Sequence, residues 1–192
     1  MITTTQTQRT VEKDNFRFTK LLPNPASAAL ALTLVALGFL FAVPHANASS
    51  TISTADKDFI MAAAQGGMTE VKLGELAARK GTRDDVREFG QRMVKDHTAI
   101  NDDLKALAAQ KDVTLPGNLD AKHQQIVDKM SALDSLEFDD AYIAGMIKGH
   151  KKDAKAFKAE SAETTDADMK GFLDKSIPVV EAHLKHVSAM KK

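Results

Sequence analysis

From about residue 55 onward, apolar residues recur every three or four positions, and this spacing limits the fold more than any other feature. The clearest stripe consists of Val86, Gly90, Met93, His97, Ile100, Leu104 and Leu107. Residues spaced in this way lie on one face of an α-helix that packs against neighbouring helices. Alternation of the strand type is absent, and only 10 glycines and 5 prolines occur in 192 residues. The sequence therefore predicts an all-α protein.

Breaks in this spacing predict four long helices and one short helix. The long helices are expected at about residues 55–80, 82–111, 135–163 and 167–190, and the short one at about 119–133. Thr82 followed by Asp85 resembles a capping box at the start of the second helix. More than twenty residues separate the second and third long helices, which is enough to cross a bundle. We expect a ferritin-like four-helix bundle with the short helix in this crossover, and a plain up-down bundle is the alternative.

The first 48 residues have the pattern of a cleavable export signal. A basic region precedes an apolar run from Ala28 to Val43, and Ala46 and Ala48 form a small-x-small cleavage site. The run is shorter than the ~20 residues that span a bilayer comfortably, which favours cleavage after Ala48 over an uncleaved anchor. We expect a signal peptide at 1–48, a flexible tail at 49–54 and a bundle domain at 55–191. The mature protein is then expected in the periplasm. Its association with the outer membrane and its true translation start are two questions that the sequence leaves open.

Composition excludes several classes of function. The 26 basic and 26 acidic residues balance, whereas nucleic-acid-binding proteins usually carry a basic excess. Cysteine is absent, which rules out a thiol nucleophile, a disulfide and a cysteine-ligated metal. No second long apolar run exists, so the mature chain is not expected to span a membrane. Without a Ser–His–Asp order, a phosphate loop or a paired acid motif, we do not expect an enzyme.

Each long helix carries one polar side chain within its apolar stripe. These are Glu70, His97, His150 and His183. At ~1.5 Å per residue, the members of each helix pair differ in height by only ~5–6 Å, which places all four near the middle of the bundle. Buried groups of this kind need partners, because unpaired burial costs several kcal/mol. They either bond to one another as a structural polar cluster, or bind a metal such as copper, zinc or iron.

Near these groups, His186 and Met190 lie one turn apart on the last helix. A histidine with a thioether on one face could hold copper, although filling of the core is the alternative use of the methionine. Asp96 points about 100° away from His97 around its helix, which indicates a surface residue or a partner of a ligand.

Three segments of the chain resemble a bacterial family called domain of unknown function 4142. They are residues 89–97, 138–150 and 177–184, and the resemblance extends over about residues 55–187. It implies an exported protein with a ferritin-like helical bundle and no established activity. The family's recurring positions correspond here to Asp96, His97, Phe138, Asp139, Tyr142, His150, Pro178 and His183. Among these and their neighbours, Asp96, Asp139, Tyr142, Glu181 and His186 are candidate supporting residues.

One departure from better-known ferritin relatives concerns the di-iron motif. Those bundles use Glu-x-x-His, whereas Val94 and Val180 stand three residues before His97 and His183. A di-iron enzyme is therefore disfavoured. The leading hypothesis is a non-enzymatic periplasmic protein that binds a transition metal and contributes to envelope stress tolerance. One alternative is a structural or partner-binding bundle with a polar core cluster and no metal, the partner being an envelope protein. The other is a ferritin-like metalloenzyme.

Overall fold

The fold comes from a computed structural model, which describes residues 52–191. Within that range the chain forms five helices and no strand: α1 (Thr54–Lys80), α2 (Asp84–Gln110), α3 (Ala121–Ala132), α4 (Ser135–Glu163) and α5 (Ala167–Met190). The expectation of an all-α bundle with its short helix in the crossover is confirmed. None of the described helices combines the length and apolarity needed to cross a membrane. The signal peptide expected at residues 1–48 lies outside the described residues.

The four long helices form a ring in the order α1, α2, α5, α4, with α3 lying against α1 and α4. Turns of only three residues join α1 to α2 and α4 to α5, so the members of each pair are antiparallel. Asp139, near the start of α4, binds the backbone at the start of α2. Helices α2 and α4 therefore run in the same direction, and α3 carries the chain back along the bundle between them.

Helices α1 and α2 approach closely where two glycines face each other. A Cβ added to Gly74 would lie 2.8 Å from the carbonyl oxygen of Gly90, and one added to Gly90 would lie 2.7 Å from that of Gly74. Both contacts are too short for a real side chain, so these positions need glycine. Glu70 lies one turn from this crossing and His97 about two turns from it, so the close approach brings these two side chains together.

The start of α2 differs from the expected capping box. The N-cap is Arg83, which makes no side-chain capping bond. The Asp139 carboxylate of α4 instead accepts from Thr82 N at 3.1 Å, Thr82 Oγ1 at 2.5 Å and Arg83 N at 2.8 Å. Asp85 is held by the Arg83 guanidinium. The prediction was wrong because a carboxylate from another helix satisfies the free N–H groups that a local cap would have satisfied.

The segment expected to be a flexible tail is partly ordered. Ser53 is the N-cap of α1 and forms a capping box with Asp56, and Thr54 is the first helical residue. Ile52 is buried in the core. Residues 49–51 lie outside the described part, so the expectation fails for 52–54 only. The apolar side chain of Ile52 and the paired donors of the cap explain the order.

The apolar core consists of two clusters, one at each end of the bundle. The cluster near the α1–α2 turn includes Leu73, Val86, Phe89, Phe138, Tyr142 and Val187. The cluster near the α4–α5 turn includes Ile60, Leu104, Phe157, Met169, Phe172 and Leu173. On every long helix, the polar residue of the apolar stripe falls between the residues of the two clusters.

Candidate metal centre

Between the two apolar clusters, three histidines from three helices meet in the middle of the bundle. His97 of α2, His150 of α4 and His183 of α5 each offer a ring nitrogen, and these three atoms lie within 4.8 Å of one another. The ring centroids are 5.3 to 5.6 Å apart. Their side chains are only 4%, 0% and 0% exposed. We call these residues the three-histidine centre.

Each ring of the three-histidine centre has one nitrogen with a partner and one without. His97 Nδ1 lies 2.9 Å from Glu70 Oε2, His150 Nδ1 donates to the Met146 carbonyl at 3.0 Å, and His183 Nε2 lies 2.8 Å from Asp96 Oδ2. Among the described residues, His97 Nε2, His150 Nε2 and His183 Nδ1 are buried without a hydrogen-bond partner. Buried polar atoms are normally satisfied, so three unpartnered nitrogens in one layer need an explanation.

Glu70 occupies a different place from the ligand position that we expected. Its carboxylate contacts Nδ1 of His97, and at 3.5 Å Nδ1 of His150, but it does not belong to the group of converging ligand atoms. The α1–α2 crossing sets this geometry, since it places Glu70 beside the nitrogen of His97 that is opposite the unpartnered one. Glu70 therefore holds ligand candidates in position.

Asp96 supports the third ring from a neighbouring helix. Its carboxylate accepts from His183 Nε2, and Arg92 Nε lies 3.3 Å from the same oxygen. Because Asp96 points away from His97, it reaches α5, which packs against α2. A carboxylate behind a histidine fixes the ring tautomer and orientation, as in many metal sites. The side chain of Asp96 is 25% exposed.

Burial and neighbouring charges shift the pKa values of the three rings in different directions. Burial alone would raise the pKa of Glu70 and lower that of His97, but their mutual attraction outweighs burial, so the Glu70 pKa is lowered and the His97 pKa raised. Burial and the neighbouring His97 lower the pKa of His150. Burial, against the opposing bond to Asp96, lowers the pKa of His183 to about 4. The lowered pKa values keep His150 and His183 neutral at neutral pH, whereas Glu70 favours the charged form of His97.

Sequence reasoning missed Asp153, which approaches Glu70 from α4. Burial, together with the charge of Glu70, raises the pKa of Asp153 to about 7, and the two carboxyl groups share a hydrogen bond. The available signal was its position three residues after His150, which places it on nearly the same helix face. Asp153 thus adds a second acid behind the three-histidine centre.

The other candidate residues of α4 are not part of this centre. Asp139 caps α2, as described above. Tyr142 is fully buried and its ring stacks on Phe138 with centroids 5.8 Å apart. Its hydroxyl finds no hydrogen-bond partner among the described residues, and burial together with the charge of Glu70 raises its pKa.

On α5, three further residues lie away from the centre. Glu181 pairs with Lys158 at the surface. The His186 ring packs edge-on against Phe89 with centroids 5.1 Å apart, and its Nδ1 is 3.5 Å from Arg92 Nη1. Met190 is buried in the cluster near the α1–α2 turn. Among the described residues, His186 belongs to no group of three or more histidine, aspartate or glutamate side chains that could hold a metal ion.

Two solved structures share the fold at low sequence identity. A DUF305 fragment from Deinococcus radiodurans has a TM-score of 0.63 and 9% identity, covering 72% of this chain and 96% of its own. A structure described as CopM in the Cu(I)-bound form has a TM-score of 0.59 and 16% identity, covering 70% and 94%. At these identities the likeness concerns the fold alone.

Among curated proteins, none matches this chain in sequence. The family model described as domain of unknown function (DUF4142) matches residues 41–190. This range contains all five helices and every residue of the three-histidine centre. The chain belongs to the DUF4142 family.

Proposed function

We propose that this protein binds one transition-metal ion through His97, His150 and His183. The observation that supports the proposal is the set of three buried, unpartnered ring nitrogens, one from each histidine. Hydrogen-bonding partners occupy the other nitrogen of every ring, so each free nitrogen has its lone pair available once the ring is neutral. A metal–imidazole bond is about 2.0–2.1 Å long, so the rings must draw together by roughly an ångström to share an ion.

Imidazole ligands suit copper, zinc and iron, and these remain the candidate metals. Copper is the first to test, because the CopM structure, which has a similar fold, is described as Cu(I)-bound. The carboxylates of Glu70 and Asp96 fit a cation, since each stabilises a ligand from behind and offsets positive charge. A purely structural cluster would have no use for three unsatisfied nitrogens, which cost free energy when buried.

The proposed setting is the periplasm, and the proposed role is metal handling that contributes to envelope stress tolerance rather than catalysis. Support for export comes from the apolar run and small-x-small site before residue 49. Cell fractionation, with sequencing of the N-terminus of the purified protein, tests this part. We expect a periplasmic protein that begins at Ser49, and a cytoplasmic protein that retains residues 1–48 would contradict it.

Elemental analysis of the mature protein tests the metal proposal. We expect about one copper, zinc or iron per wild-type chain and none in the His97→Ala/His150→Ala variant. His186→Ala is the matched control, because this histidine lies outside the centre and should leave the stoichiometry unchanged. Added metal at a thousand times its Kd should stabilise the wild-type fold by about 4 kcal/mol.

The opposite result would favour the structural alternative. In that case the wild type would hold no stoichiometric metal, and its melting would not change with added copper, zinc or iron. Single histidine substitutions would then lower stability by roughly 1–3 kcal/mol and abolish no binding.

A further inference from the structure

A large apolar groove runs between α1 and α4 beneath α3. Its volume is about 1120 Å³, and its walls include Phe59, Leu104 and Phe157. Glu70 and His97 form part of its floor. Pockets that hold small organic ligands usually measure about 300–1,000 Å³ and are mostly apolar, so this groove has room for a ligand of that size or larger.

Small residues on both facing helices keep the groove open. Ala62, Ala63 and Gly66 line it from α1, and Gly145 and Gly149 line it from α4. A Cβ added to Gly66 or to Gly149 would meet no atom within 4 Å. Each of these glycines costs its helix about 1 kcal/mol relative to alanine. The space beside them is therefore unfilled volume that larger side chains could occupy without a clash.

Exposed apolar side chains also lie along the groove. In the described part of the chain, three large hydrophobic side chains are exposed, and two of them, Met61 at 38% and Ile126 at 41%, line this groove. Met61 is on α1 and Ile126 on α3, so they lie on different helices of the groove wall. A concentration of apolar surface in a concave site is typical of a binding site for an apolar molecule.

Charged side chains of both signs line the groove. Lys122, Lys148 and Lys152 line it, and within the described residues none of them forms an ion pair. Each of the three acids there is already bonded to a neighbour: Asp120 to His123 at the start of α3, Glu70 to His97, and Asp153 to Glu70. The positive charges of the three lysines are therefore complementary to an anionic ligand, and they disfavour a cationic ligand at the entrance of the groove.

We propose that this groove binds an amphiphile with one hydrocarbon chain and an anionic head, specifically a long-chain carboxylate. The chain lies along the small and apolar residues between α1 and α4, and the carboxylate pairs with the lysines. The apolar lining accounts for affinity through hydrophobic burial, and the lysines account for the sign of the head. This site is independent of the proposed metal function, although the two adjoin at His97 and Glu70.

Calorimetric titration of the mature protein with palmitate, below its aggregation concentration, tests this proposal. We expect one palmitate per chain, and laurate should bind at least tenfold more weakly because each lost methylene removes apolar burial. Hexadecanol and hexadecyltrimethylammonium have the same chain with a neutral and a cationic head, and both should bind more weakly than palmitate. The titration is repeated with metal-free and metal-treated protein, so its result does not depend on the metal site.

Matched variants locate the binding. Gly66→Leu fills the groove and should weaken palmitate binding more than tenfold, whereas Gly171→Leu is the control on α5, where an added Cβ also meets nothing within 4 Å. Lys148→Glu/Lys152→Glu should reverse the preference from palmitate to hexadecyltrimethylammonium. Lys151→Glu/Lys155→Glu changes two lysines of the same helix outside the groove and should have no effect. Circular dichroism melting verifies that every variant is folded.

Three outcomes would overturn the proposal. The first is palmitate binding that folded Gly66→Leu leaves unchanged. The second is an affinity that does not depend on chain length or head charge. The third is a wild-type dimer, measured by light scattering, that Gly66→Leu dissociates and that binds no palmitate, because the groove would then be occupied by a second copy of the chain.

Discussion

Each residue of the three-histidine centre is held by a different partner. His97 has the Glu70 carboxylate, His150 has the carbonyl of Met146 on its own helix, and His183 has Asp96 of α2. These partners occupy one nitrogen of each ring and leave the other, buried nitrogen without a hydrogen-bond partner among the described residues. Because the hydrogen bonds already hold each ring in one orientation, the side chain loses less conformational entropy when it binds a metal. The partners are thus as important to the proposed site as the rings themselves.

At this scale we predict the effect of Asp96→Asn. The amide keeps the size of the side chain but removes the charge that holds His183, so metal affinity should fall about 10–100-fold while one ion per chain still binds. Competition with a chelator of known affinity measures the change. Asp102→Asn, at an exposed position on the same helix, is the control and should bind as wild type. Equal affinities for Asp96→Asn and wild type would show that His183 is not held for metal binding.

Polar contacts near the ends of the helices join each helix to a neighbouring one. Asp139 of α4 caps α2. Lys111, just after α2, pairs with Asp166 at the start of α5 at 2.5 Å, with both side chains less than a tenth exposed. Lys80 at the end of α1 donates to the carbonyls of Ser131 and Leu133 at the end of α3. These contacts fix how far each helix slides along its neighbour, and thereby align the three histidines at one level.

Removal of the Asp139 cap should destabilise the fold. Asp139→Ala leaves the Thr82 and Arg83 backbone donors without their carboxylate, which should cost about 1–3 kcal/mol in the free energy of unfolding. Urea denaturation followed by circular dichroism measures this cost. Asp140→Ala is the control at the adjacent, exposed position, and its effect should stay within about 0.5 kcal/mol. A loss of similar size in both variants would mean that general charge, and not the cap, stabilises α2.

In the molecule as a whole, titratable side chains lie between the two apolar clusters and near the α4–α5 turn. The free energy of unfolding must therefore depend on pH. Near the cluster at the α4–α5 turn, Glu160 of α4 shares a hydrogen bond with Asp56 of α1. Burial, with the adjacent Asp56, raises the pKa of Glu160 from 4.5 to about 7. Burial would raise the pKa of Asp56, but its bonds to Ser53, Thr164 and Glu160 lower it instead. The protonated Glu160 therefore donates to an ionised Asp56.

The sign of the resulting pH dependence follows from the raised pKa of Glu160. Between pH 4.5 and 7 the folded protein keeps a proton that the unfolded chain has lost, so this contribution to stability is complete below pH 4.5 and is lost as pH rises through 7. Glu160→Gln keeps a donor at every pH. We expect the variant to match wild type at pH 4 and to exceed it by about 1 kcal/mol at pH 8, after allowance for solvent screening.

Urea denaturation across this pH range measures the difference between wild type and Glu160→Gln. The comparison removes the contributions of other groups that titrate in the same window, such as Asp153 and His183. Glu75→Gln, at an exposed position of α1, is the control and should follow wild type at every pH. A constant difference between Glu160→Gln and wild type would contradict the assigned pKa.

The sequence alone was enough to predict the helices, their order and the mid-helix position of His97, His150 and His183. Apolar spacing reports which face of a helix is buried, and turn residues report where a helix ends, because both are local properties of the chain. Even the family could be recognised from three short segments. These predictions did not require the rotation of each helix about its own axis to be known.

The tertiary structure decided which polar group contacts which. Glu70 contacts the far nitrogen of His97, Asp96 holds a ring on another helix, and Asp139 replaces a local cap at Thr82. The groove between α1 and α4 likewise exists only once the helices are packed. Spacing along one helix cannot determine these contacts, because they depend on the rotation, the depth and the separation of two helices. Those quantities are set by close contacts such as that of Gly74 with Gly90, between residues distant in the chain.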